Sequence, residues 1–265
     1  AAAAAAGVTS VCCPPDTSPV MDTPAVVELI RHAGAGAGYA RVYPIGALTL
    51  GLGGERLAEM HALKLAGCVA VGNANEPILN NEILRRALEY AASTDLTVFL
   101  HAEDHHLGNR GVVNEGAIST RLGLPPVPAT AETVAVATAL LLLEQTGARG
   151  HFCRLSTARA VEMLGRAKQY GLPVTADAGI CHLYLTEQDV DGYDANCHLI
   201  PPLRRPEDRA ALVRRPSLPG LEVGRALVLL VSLGGGDRGL VGDVERSPAG
   251  DLDHHRGGRA AERAR

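Results

Sequence analysis

The sequence predicts an α/β fold, an incomplete TIM (β/α) barrel with parallel strands and outer helices. Short apolar runs, typical of buried parallel strands, alternate along the chain with longer amphipathic segments. The chain has 265 residues, 46% of them hydrophobic, which is enough for one large core. Six βα units can be counted, whereas a closed barrel needs about eight. An open, doubly wound sheet is the alternative, although no G-x-G-x-x-G follows a strand.

The predicted elements alternate in order along the chain. Strands are predicted at Val8–Cys13, Arg41–Ile45, Cys68–Val71, Val98–His101, Gly150–Arg154 and Val174–Ala178. Helices are predicted between them at Thr23–Ala33, Glu55–Ala66, Asn81–Ser93, Thr130–Thr146 and Thr157–Tyr170. Thr23 and Pro24 suit the N-cap and first position of a helix. Gly67 and Gly147 stand where a left-handed C-cap favours glycine. Residues 109–132, rich in Gly and Pro between the fourth and fifth strands, are predicted to form a long loop.

Composition excludes several classes of function. The net charge of −4 and the 3% of aromatic residues argue against a nucleic-acid partner. No apolar run approaches the roughly 20 residues of a membrane span, and the amino terminus lacks the pattern of a signal peptide. The six cysteines show no C-x-x-C spacing, so we expect reduced thiols, with Cys153 and Cys181 buried. These features predict a cytoplasmic protein.

The chain divides into two regions by composition. Residues 1–212 carry the alternating pattern and are predicted to form the partial barrel. Residues 213–265 are rich in Gly and Arg without periodicity, so we expect a poorly ordered tail, as a frameshifted sequence would produce. The chain is also expected to begin within its first domain, after a missing strand.

The best candidate site follows the predicted strand that ends at His101. In a β/α barrel the carboxyl ends of the strands open onto the active-site face, so this imidazole could bind a metal. Glu103 and Asp104 follow and could orient it. The alternative is that His101 only forms a hydrogen bond at a strand end while the two carboxylates cap the next loop.

A series of segments over residues 1–212 has a distinctive order and spacing: VYPIGALT, GERLAEMHALKLAGCVAV, LRRALEYA, FLHAED, NEGAISTRLGLPPVPATAE, HFCRLSTARAVEML, LYLTEQDVDGYDAN and PPLR. Together they closely resemble dihydroorotases of the cyclic amidohydrolase superfamily. The resemblance implies a metal-dependent TIM barrel that closes carbamoyl aspartate to dihydroorotate in pyrimidine biosynthesis, with zinc as the family's metal.

The resemblance also implies where the metal ligands would lie. His101 matches the histidine of the family's strand-end His-x-Glu-Asp. Asn73 stands at the position of a bridging Asp or carboxylated Lys, and Arg154 at the last His of a His-x-x-His-x-Ser-Thr run. The family's H-x-H pair and its catalytic Ser-Asp-His have no counterpart in this chain. His101 is therefore the only surviving ligand position, and Asn73 and Arg154 occupy lost ones.

The substrate contacts of the family are altered as well. Asp16 replaces the Asn of a Pro-Asn-Thr motif, and Ile200 replaces the Asn of Asn-Pro-Pro-Leu-Arg. No residue is therefore assigned a catalytic role, and no substrate-binding residue is assigned. Because Arg154 needs an anion, we expect it to form an ion pair with Glu103, Asp104 or Asp177 where the metal would sit.

The sequence therefore predicts a non-catalytic dihydroorotase-like protein without its own metal. By resemblance it would be a structural partner of aspartate transcarbamoylase, in a homo- or hetero-oligomer. The first alternative is a working zinc dihydroorotase whose missing ligands lie outside this chain. A weaker alternative is a hydantoinase or allantoinase relative.

Overall fold

Six parallel strands form one curled sheet in the computed structural model of the chain. The structure describes residues 2–5, 7–108 and 110–214. The strands are β1 (Ser10–Cys13), β2 (Arg41–Ala47), β3 (Ala70–Gly72), β4 (Thr97–His101), β5 (Val113–Asn114), β6 (Pro126–Val127), β7 (Arg149–Cys153) and β8 (Val174–Ala176). The order of strands in the sheet is β1-β2-β3-β4-β7-β8, and the sheet is an incomplete TIM barrel, as predicted.

Helices lie between the strands and at both ends of the described part of the chain. They are α1 (Ala2–Ala5), α2 (Pro24–Ala37), α3 (Met60–Ala66), α4 (Asn81–Ser93), α5 (His105–Gly108), α6 (Ala117–Leu122), α7 (Ala129–Thr146), α8 (Ala158–Gln169), α9 (Ile180–Tyr184) and α10 (Pro206–Val213). Short 3₁₀ turns occupy Leu50–Leu52, Glu187–Val190 and Ala195–Cys197. Among the described residues, no helix combines the length and apolarity needed to cross a membrane.

The six predicted strands and five predicted helices are all present, with two differences in their bounds that matter. Helix α3 begins at Met60 rather than at Glu55, because Leu57 forms an antiparallel bridge with Thr49. Strand β7 ends at Cys153, because Arg154 adopts a left-handed backbone with φ of 55°. The predicted C-caps Gly67 and Gly147 are left-handed, as expected.

The predicted loop is not a simple loop in its described part, residues 110–132, so that prediction was wrong. This part contains α6 and a small parallel pair in which β5 aligns with β6. Periodicity could not reveal strands of two residues, because alternation needs a longer run to be seen. The predicted tail, residues 213–265, lies outside the described residues from residue 215 onward.

Alternation along β4 separates the two faces of the sheet. Val98 and Leu100 are buried against the outer helices, in a core that includes Phe152 of β7. Phe99 and His101 must then point to the opposite side, which we call the inner face. The Phe99 ring lies there with its centroid 4.6 Å from that of His151. The outer core thus fixes which side chains line the inside of the partial barrel.

The cysteines are free thiols throughout the described residues. Cys153 is buried, as predicted. Cys181 is only half-buried, so the prediction that it is buried was wrong. It lies in the short helix α9, beyond the sheet, and not next to an inner strand.

Candidate functional site

The carboxyl ends of β3, β4 and β7 bring the three predicted site positions to the same edge of the sheet. Asn73 directly follows β3, His101 ends β4 and Arg154 directly follows β7. The three strands are adjacent and parallel, with Gly72 opposite Phe99 and His101 opposite Cys153. The three positions therefore lie side by side at this edge of the sheet.

The guanidinium of Arg154 occupies the space beside His101. Its Nη2 lies 3.5 Å from His101 Nδ1, and it donates a hydrogen bond to Asn75 Oδ1. The left-handed backbone of Arg154 is unusual for a residue with a side chain. Its N–H donates to Asp177 Oδ1 at 2.6 Å, which helps to hold this conformation.

The expected ion pair of Arg154 is not formed. Within the described residues, its guanidinium has no carboxylate oxygen within 4.0 Å, and its Nε is buried without a hydrogen-bond partner. Asp177 uses its oxygens for the Arg154 backbone and for His151. Asp104 instead accepts from two backbone N–H groups at the start of α5. The Arg154 guanidinium therefore donates to the uncharged amide of Asn75 and not to the predicted carboxylate.

Asn73 has a structural role, because its side-chain amide links two turns. It is buried, its Oδ1 accepts from Thr49 Oγ1 at 2.7 Å, and its Nδ2 donates to the carbonyls of Leu52 and Glu76, both at 3.1 Å. These bonds tie the turn after β2 to the turn after β3. Both ends of the buried amide are engaged in these bonds, and an uncharged amide cannot supply the bridging anion of a two-metal site.

Glu103 is the charged neighbour of His101. Its Oε2 lies 3.7 Å from His101 Nε2, too far for a direct hydrogen bond but close enough for electrostatic attraction. The His101 imidazole holds the pKa of the Glu103 carboxyl below its usual value, against the opposing effect of burial. The predicted role of Glu103 as a neighbour that orients His101 is compatible with this geometry.

A buried polar cluster supports the segment that follows Arg154. Glu132 is 3% exposed, and its carboxylate accepts from the backbone N–H groups of Ser156 and Thr157 at 2.9 Å each. Both hydroxyls also donate to it, at 2.5 and 2.7 Å. Buried Arg204 donates to Ser156 Oγ, Asn114 Oδ1 and the Val127 carbonyl. Sequence reasoning missed this cluster, because its members are far apart in the chain.

A model of the family described as "Dihydro-orotase-like" matches residues 1–160. The chain belongs to this family. The "Dihydroorotase-like protein" of Pseudomonas putida is 52% identical over 211 residues, which are 80% of this chain and 50% of that protein. The "Dihydroorotase" of Syntrophotalea carbinolica is 48% identical over 211 residues, with the same shares. This dihydroorotase-like chain spans about half the length of the curated relatives it matches.

Solved structures share the fold of the dihydroorotase-like chain. L-hydantoinase from Arthrobacter aurescens superimposes with a TM-score of 0.65 at 20% identity, over 79% of this chain and 48% of that one. Dihydroorotase from Campylobacter jejuni gives 0.53 at 16% identity, over 77% and 56%. These similarities show that the chain shares its fold with part of these barrels.

The residues of this dihydroorotase-like chain do not fit the metal of the family at the expected position. A hydrolytic zinc site requires three protein ligands and a water, and a two-metal site requires a bridging anion. Here His101 supplies one imidazole, Asn73 is an uncharged amide already engaged at both ends, and Arg154 places a permanent cation with no lone pair beside His101. The inner face of β7 and β8 does hold a further group, His151, Cys153 and Asp177, which sequence spacing did not reveal.

Proposed function

We propose that this chain is part of a non-catalytic dihydroorotase-like protein of the pathway of de novo pyrimidine synthesis in the cytoplasm. We propose further that it is a structural partner of aspartate transcarbamoylase, in a homo- or hetero-oligomer. The similarity to two Pseudomonas proteins named "Dihydroorotase-like protein", each 52% identical, supports the first proposal.

The observation that carries the proposal is the position of the Arg154 guanidinium, 3.5 Å from the remaining ligand histidine. A divalent ion bound to that imidazole would lie about 6 Å or less from the positive charge. At an effective dielectric constant of about 20, the two would repel by roughly 5 kcal/mol. That energy corresponds to more than a thousandfold weaker binding. The chain has kept the scaffold around this site and lost the means to hold its metal.

The second candidate is a working zinc dihydroorotase. Several relatives named "Dihydroorotase" are 47–48% identical to this chain, and His101 is retained on the inner face at the end of β4. In this case Arg154 would have to move away when the metal binds, and residues outside the chain would complete the site.

Turnover by the intact protein separates the two candidates. The intact protein, supplied with zinc, is assayed for closure of carbamoyl aspartate, alone and mixed with aspartate transcarbamoylase. We expect no turnover in either case and co-elution of the two proteins in size-exclusion chromatography.

The matched variants are His101→Ala and His106→Ala, the second being an exposed histidine in the nearby helix α5. Turnover that is abolished by the first substitution and kept by the second would establish the enzyme and contradict the proposal. Separate elution of the two proteins would contradict the partnership alone.

A further inference from the structure

Three potential metal ligands meet on the inner face where β7 pairs with β8. His151 and Cys153 alternate along β7, and Asp177 directly follows β8. The ladder continues past β8, because the Asp177 N–H donates to the Phe152 carbonyl at 3.0 Å. One imidazole nitrogen, the thiol sulfur and one carboxylate oxygen therefore lie within 4.8 Å of one another.

Two of the three side chains are held so that a single atom is presented to the centre of the group. His151 Nδ1 is 2.8 Å from Thr175 Oγ1, which leaves Nε2 directed toward Asp177 Oδ2 at 2.9 Å. Asp177 Oδ1 accepts from the Arg154 N–H, which leaves Oδ2 directed toward His151. In metal sites, outer hydrogen bonds fix the free atom of each ligand in this manner.

We propose that His151, Cys153 and Asp177 form a Zn²⁺ site that is distinct from the position of the family's metal at His101. The ligands are the Nε2 of neutral His151, the Cys153 thiolate and Asp177 Oδ2, with water in the fourth position. On binding, zinc replaces the hydrogen bond between His151 Nε2 and Asp177 Oδ2, and the imidazole takes the tautomer whose Nδ1–H donates to Thr175 Oγ1. The Cys153 S–H bond breaks, its proton passes to solvent, and a Zn–S bond forms. A thiolate beside an imidazole favours zinc over magnesium or calcium.

The spacing and the charge of the group suit this ion. Zinc lies about 2.0–2.3 Å from such ligands, which places them about 3.3–3.8 Å apart. A contraction of about 1 Å at the widest separation is therefore sufficient. The thiolate and the carboxylate together carry two negative charges and neutralise the ion. The Arg154 guanidinium turns the other way, toward Asn75 and His101.

The site goes beyond the proposed function, because it does not depend on His101 and supplies no catalytic role. It revises one expectation drawn from the sequence, namely that the chain holds no metal anywhere. The lost ligand positions of the family lie at the carboxyl ends of β3, β4 and β7. The group of His151, Cys153 and Asp177 lies where β7 pairs with β8.

Two measurements on the full chain test the site. Zinc content is determined by elemental analysis after incubation with zinc chloride and removal of unbound ion. Cobalt(II) is then substituted, and its thiolate charge-transfer absorption is recorded. We expect one zinc per chain, an intense charge-transfer band, and affinity weaker by about 10- to 100-fold in Thr175→Val, which removes the hydrogen bond that orients His151.

Matched variants assign the ligands. Cys153→Ser and Asp177→Asn should lose the band, whereas His101→Ala and Cys68→Ser should keep it; Cys68 is an equally buried cysteine away from this face. Circular dichroism checks folding of each variant. Absence of the band in the unmodified chain, or its loss in His101→Ala with retention in Cys153→Ser, would overturn the proposal. The band is measured first in the unmodified chain, so the proposal is tested even if one of the variants fails to fold.

Discussion

Replacing Glu132 by Gln should destabilise the protein far more than its small change in shape suggests. Each carboxylate oxygen accepts one backbone N–H and one hydroxyl from Ser156 and Thr157. The amide nitrogen of Gln would face one such pair with a donor, whichever way the amide is turned. Two hydrogen bonds to a charged acceptor would be lost, and buried Arg204 would lose a nearby negative charge.

A hydrogen bond to a charged group contributes about 1.5–3 kcal/mol. Allowing for partial relaxation, we expect Glu132→Gln to lower the free energy of unfolding by about 3–4 kcal/mol. With a urea m-value of about 2 kcal/mol/M, the midpoint should fall by about 1.5–2 M.

The assay is equilibrium unfolding in urea, followed by circular dichroism. Glu144→Gln is the matched control, because Glu144 is an exposed glutamate on the same helix, α7. Its effect should be within about 0.5 kcal/mol. A loss below about 1 kcal/mol for Glu132→Gln, with an unchanged m-value, would refute the view that this carboxylate anchors the segment after Arg154.

Three further predictions concern single residues. Asn73→Asp, which restores a carboxylate at a lost ligand position, should lower the free energy of unfolding by about 2–4 kcal/mol, because an oxygen would replace the amide nitrogen that donates to two carbonyls. Urea unfolding checks this, and Asn80→Asp, at an exposed helix cap, is the neutral control. Burial lowers the pKa of His182, so on acidification the unfolded chain binds a proton at this residue before the folded chain does. Stability should hold above about pH 7 and fall with acidification below about pH 6.5, and His182→Gln should reduce that slope in urea titrations at several pH values. Burial also raises the pKa of the Cys153 thiol. Iodoacetamide should therefore label Cys153 in the native protein on the order of tenfold more slowly than half-buried Cys181, as measured by mass spectrometry. Equal labelling rates would contradict the burial of Cys153.

The sequence by itself determined the class of fold and the main elements. Apolar runs at strand length, helical caps such as Thr23–Pro24, and glycines such as Gly147 are local signals, because each depends on the backbone preferences of a few neighbouring residues. The apolar run that ends at His101 placed this residue at the end of a strand, and the family segments matched it to a ligand position. Since the carboxyl ends of parallel strands meet at one edge, the convergence of Asn73, His101 and Arg154 followed from the fold class.

Only the tertiary structure decided which side chains contact one another. Arg154 donates to Asn75 rather than to a carboxylate, Ser156 donates to Glu132 across 24 residues of chain, and Arg204 donates to Ser156 across 48. The group of His151 and Asp177 likewise depends on the pairing of β7 with β8. Sequence periodicity gives the face on which a side chain lies, but not the register between two strands. That register is set by how the outer core packs, because a shift of one residue would turn every buried side chain to the wrong face.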